Sequence, residues 1–70
     1  MFDLSKIKEA RKAKGYKQEY LAHLTGIPQS TLSRIENGSR SPSLDEVSVL
    51  LKVLDLSPIM LMKFNFYYGL

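Results

Sequence analysis

Seventy residues make one small domain, near the size at which a single hydrophobic core is only just sufficient. The chain has no cysteine, which removes a disulfide framework and any thiolate metal site, and no apolar stretch approaches the ~20 residues of a membrane-spanning helix. A net charge of +3 and a pI near 9.3 point to an anionic partner. The basic start and apolar run of a secretory signal are missing, so the chain reads as a soluble cytosolic protein.

The charge is uneven. Lys6, Lys8, Arg11, Lys12, Lys14 and Lys17 against Glu9 give the N-terminal stretch +5 and leave −2 for the rest. A first helix is expected here, capped by Asp3 or Ser5 and ending near Lys14 with Gly15 after it. In it Leu4, Ile7 and Ala10 recur at helical spacing and face the core. Most of its lysines read as a solvated face; Tyr16 and Tyr20 cover its exit.

The run KQEYLAHLTGIPQSTLSRIENGSRSP, residues 17–42, reads as two short helices joined by a tight turn and closed by a loop. The first covers residues 18–25, with Leu21 and Leu24 one turn apart and Gly26 supplying the permissive backbone that ends it. Ile27 plugs the turn. The second covers residues 28–36: Pro28 has no amide hydrogen to lose at a helix start, and Asn37 with Gly38 stops it.

On a wheel of ~100° per residue with Gln29 at zero, Ser33, Asn37, Ser30 and Arg34 fall at roughly 40°, 80°, 100° and 140°. Thr31, Ile35, Pro28 and Leu32 fall at roughly 200° to 300°, the inward side. The outward face carries a carboxamide, hydroxyls and a guanidinium, the groups that pair with base edges in a DNA groove, and no carboxylate at its centre.

Ser43 followed three residues later by Glu46 is a capping box opening a fourth helix, with Leu44, Val47, Leu51 and Leu54 as its core-facing row. Ser57 and Pro58 restart a short fifth helix to about Met62, whose Met60 and Met62 are core or interface. The tail, residues 64–70, is aromatic and alternating: Phe64, Phe66, Tyr68 and Leu70 share one side. With no partner strand in the chain, it pairs with the same tail of a second copy and builds a homodimer, or it extends a helix, covers the core as an arm or stays disordered.

These residues resemble the Xre/Cro-type helix-turn-helix repressor family. The likeness rests on Gln18, Leu21 and Ala22, Gly26 and Ile27, Ser30 and Thr31, the run Ile35, Glu36, Asn37, Gly38, and Pro42, and extends over about residues 4 to 62. It implies an all-α, five-helix repressor-like domain over residues 1–63; the tail 64–70 lies outside the likeness, and its reading as a dimerisation strand rests on its own alternating pattern. The likeness implies base reading by Gln29, Ser30 and Arg34 and phosphate contact by Gln18, Asn37 and Arg40; Ser33 faces the same groove, and Lys17, beside Gln18, is expected to contact phosphate through its charge. The likeness further implies a structural ion pair between Arg11 and Glu36 that ties the first helix to the end of the reading helix. Lys17 and Pro28 stand where the family often has a hydroxyl or amide cap, which exchanges capping for a phosphate-seeking charge at Lys17.

The expected partner is double-stranded DNA, read at a near-palindromic operator by a homodimeric repressor. The alternative is an antitoxin or interaction module on the same fold, bound to a toxin or antirepressor. No membrane, cofactor or metal is called for. An enzyme reading has only His23 to use, and a lone ligand does not hold a metal.

Overall fold

The computed structural model describes residues 4–57. Four helices follow one another: α1 (Ser5–Ala13), α2 (Gln18–Thr25), α3 (Gln29–Glu36) and α4 (Leu44–Leu54). No strand occurs among the described residues. The expected fifth helix at 58–62, the tail at 64–70 and the candidate cap Asp3 lie outside them.

Each helix end has a local cause. Leu4 occupies the N-cap position of α1, so Ser5 is the first helical residue rather than the cap. The helix leaves through Gly15 at φ +75°. Lys17 precedes α2 in extended conformation without a side-chain cap, its carbonyl accepting from Leu21 N–H at 3.0 Å. Gly26 closes α2 at φ +75°, a left-handed conformation that costs a residue with a Cβ about 1–2 kcal/mol. Thr25 then staples the turn: its hydroxyl donates to Leu21 O and accepts from Ile27 N–H at 3.2 Å. Pro28 stands at the N-cap of α3, so the helix begins at Gln29, one residue later than expected, and Pro28 is exposed rather than packed inward. Its extended ψ of 141° keeps it out of the helix, while its carbonyl accepts the first helical bond from Leu32 N–H at 2.9 Å.

Side chains from all four helices and the turn meet in one core: Ile7, Leu21, Ile27, Leu32, Ile35, Val47, Leu50 and Leu54. In α4 the buried row is Val47, Leu50 and Leu54; Leu51 is half-buried, and Leu44, expected in the row, is 82% exposed. Leu44 is the first helical residue. Its side chain tilts toward the helix N-terminus, past the edge of the core that Val47 reaches one turn below. Leu24 also stays outside the sealed core, 39% exposed, because the turn presents Leu21 and Ile27 to the core instead.

The core sits under α3 and anchors it from one side. Leu32 and Ile35 are fully buried, and Thr31 is half-buried. The remaining face of that helix is free to meet something else.

Candidate nucleic-acid interface

That free face carries Gln29, Ser30 and Arg34, all exposed, with Ser33 half-buried beside them. Among the described residues Arg34 has no carboxylate partner: the ion pairs are Lys6 with Glu9, Arg11 with Glu36, and Arg40 with Glu46. A guanidinium on an exposed helix face without a counter-charge keeps all five donors for an outside acceptor.

Past α3 the chain is folded tightly rather than loosely draped. Gly38 at φ +82° turns it, and Ser39 N–H and Arg40 N–H both donate to Arg34 O, at 3.0 and 3.2 Å. Asn37 Oδ1 accepts from Ser39 N–H at 2.9 Å, which ties the exposed Asn37 side chain to the turn and leaves its amide hydrogens as donors. The loop thereby carries Arg40 to a set position close to the C-terminal end of α3.

Glu36 ends the helix and is the junction of the site. Its carboxylate accepts from Arg11 Nε at 2.8 Å and Arg11 Nη2 at 3.0 Å, a two-pronged pair with side chains 10% and 3% exposed. Arg11 Nη1 also donates to Tyr16 O at 2.9 Å. One side chain thus fastens α1, the entry to α2 and the end of α3. Gln18 joins them, its Nε2 donating to Glu36 Oε1 at 3.3 Å. Nothing in the residue spacing indicated this last bond, and it leaves one side-chain hydrogen of Gln18 for an outside acceptor.

Lys17 is exposed beside Gln18 at the start of α2. Arg40 is not a free cation: its Nη1 donates to Glu46 Oε1 at 2.8 Å. The same oxygen accepts from Ser43 N–H at 2.8 Å, and Ser43 Oγ accepts from Glu46 N–H at 3.2 Å, which completes the capping box of α4. The Arg40 hydrogen bond, followed by the Ser43 N–H, holds the Glu46 carboxyl below the ordinary carboxylate range, against a smaller upward push from burial. Sequence reasoning found the capping box but missed its second use. Tyr16 and Tyr20 pack edge to face with ring centroids 5.0 Å apart, Tyr16 half-buried and Tyr20 exposed. The tail residues Phe64, Phe66 and Tyr68 lie outside the described residues.

A helix packed on one face, a tight glycine turn before it and a row of donors on the other face define a helix-turn-helix unit. A helix-turn-helix family model matches residues 7–61, and the chain belongs to this Xre/Cro-type family. It is 38% identical over 53 residues to the HTH-type transcriptional regulator AnsR of Bacillus subtilis, covering 76% of this chain and 46% of AnsR. It therefore spans about half the length of that relative. Over 52 residues it is 42% identical to the uncharacterized HTH-type transcriptional regulator YazB of the same organism, covering 74% of this chain and 75% of YazB. The crystal structure of the restriction-modification controller protein C.AhdI from Aeromonas hydrophila superposes with a TM-score of 0.78 at 37% identity, over 84% of this chain and 89% of that one.

Proposed function

We propose that this protein is a sequence-specific DNA-binding transcriptional regulator that places α3 in the major groove. The observation that carries the reading is the division of α3: Leu32 and Ile35 are fully buried, while Gln29, Ser30 and Arg34 stand exposed without a carboxylate among them. Gln29 and Arg34 then read base edges, with Ser30 and Ser33 as hydroxyl donors or acceptors. Lys17, Gln18, Asn37 and Arg40, at the start of α2 and in the loop after α3, grip the phosphates on either side. The names of AnsR, YazB and C.AhdI, two regulators and a controller, support the same reading.

The reading includes action as a dimeric repressor. One short reading helix covers only a few base pairs, so useful specificity calls for two copies about one DNA turn, ~34 Å, apart on a near-palindromic site. Occupying a promoter is the output that such a domain delivers by itself. Removal of residues 64–70, followed by sedimentation equilibrium, tests whether the tail makes the dimer; equally tight association of the truncated chain removes that role from it.

Selection of bound sequences from a random duplex pool, followed by titration of the best site at several salt concentrations, tests the function. A recovered consensus with affinity falling steeply as salt rises is expected, because cationic contacts release counterions from phosphates. No enrichment, or an affinity indifferent to salt, overturns the reading.

A further inference from the structure

The two arginines flanking the end of α3 differ in one respect: Arg34 is unpaired among the described residues, whereas Arg40 is bound to Glu46 at 2.8 Å. Glu46 cannot follow Arg40 elsewhere, because its carboxylate also receives Ser43 N–H and its own N–H is held by Ser43 Oγ. The carboxylate is thus a fixed part of the α4 cap. Arg40 is the movable partner, a long side chain on a loop, about one-third exposed in its side chain. A carboxylate and a phosphate oxygen are the same kind of ligand to a guanidinium, and both anions close to one cation repel each other.

We propose that Glu46 sets the strength of the backbone grip, holding Arg40 as its counter-charge until a DNA phosphate takes the carboxylate's place. The inference rests on the DNA-binding reading and adds to it a residue that touches no DNA. In the free protein the pair is neutral and contributes no net charge at the loop. Binding exchanges one anion for another at Arg40, so this contact adds little to counterion release. A Gln at position 46 keeps the capping geometry, since the capping box accepts Glu or Gln, and releases the guanidinium.

The test compares wild type, Glu46→Gln, Arg40→Ala, the double variant and Asp45→Asn by fluorescence anisotropy on a labelled duplex of mixed sequence. Asp45, exposed in the same turn of α4, controls for net charge alone. Glu46→Gln is expected to bind several-fold more tightly than wild type at low salt, with a salt slope steeper by about 0.9. Between about 50 and 200 mM salt that difference makes its affinity fall about 3.5-fold more than that of wild type. The gain from Glu46→Gln should be at least about threefold smaller in the Arg40→Ala background, where no guanidinium waits to be released.

Equal gains in both backgrounds, a gain matched by Asp45→Asn, or no gain in a Glu46→Gln protein that melts like wild type would each overturn the proposal. If Glu46→Gln itself loses the fold, Glu46→Asp serves instead: one methylene shorter, it draws the carboxylate back from the Arg40 guanidinium and should strengthen random-sequence binding only when Arg40 is present. Failure of wild type to bind any duplex overturns the DNA-binding reading and this inference with it. Binding by wild type without the coupling overturns this inference alone.

Discussion

Replacing Glu36 with Ala removes the acceptor of three hydrogen bonds, two from Arg11 and one from Gln18. What remains is a guanidinium with a side chain only 10% exposed, still donating Nη1 to Tyr16 O but with Nε and Nη2 facing the space the carboxylate occupied. Stranding one member of a buried pair costs about 3–5 kcal/mol. The surviving bond to Tyr16 O and some entry of water favour the lower end, about 3 kcal/mol. In a domain of this size each kcal/mol moves the melting temperature by about 4–8 °C, so Glu36→Ala should melt roughly 12–24 °C below wild type by far-UV circular dichroism. Arg11→Met combined with Glu36→Leu should cost less than Glu36→Ala alone, because no charge is left behind. An unchanged melt for Glu36→Ala, or a double variant as damaged as the single one, would refute the claim that the pair is buried and couples the helices.

Arg34→Ala or Gln29→Ala should cost roughly 1–3 kcal/mol on the best site and relax one base position, whereas Arg40→Ala should weaken all sequences about equally; binding to a panel of single-base operator variants distinguishes the two patterns. Gly26→Ala meets open space around its new Cβ, yet the backbone sits at φ +75°, so a loss of about 1 kcal/mol in a denaturant melt is expected from the backbone alone. For Glu46 the lowered carboxyl pKa means that its contribution is complete above the ordinary carboxylate range and fades as pH falls through the lowered value. Glu46→Gln should therefore show a shallower loss of stability on the acid side than wild type, and identical acid profiles would show that the Arg40 and Ser43 bonds do not hold the carboxylate in solution.

Much of the architecture was legible because it is written locally. The bounds of α2 follow from Gln18 and Gly26, and the cap of α4 from Ser43 and Glu46. The inward and outward faces of α3 follow from a 3.6-residue period, which needs no knowledge of the partner surface. Pairing of Arg11 with Glu36 was accessible only through resemblance to a family, since two residues 25 apart in sequence carry no local sign of contact.

What the tertiary structure decided is which of several equivalent residues each helix turns toward its neighbours. Leu44, Leu50 and Leu51 are equally apolar, yet Leu50 is sealed in the core, Leu51 half-covered and Leu44 open to solvent. Burial depends on where the neighbouring helices end, and no single helix contains that information. The same holds for charge: Arg34 and Arg40 read alike in the sequence, but the turn at Gly38 brings Arg40 against the capping carboxylate of α4 and leaves Arg34 unpaired among the described residues. Helix periodicity and caps arise from neighbours along the chain, whereas exposure and charge pairing arise from neighbours in space.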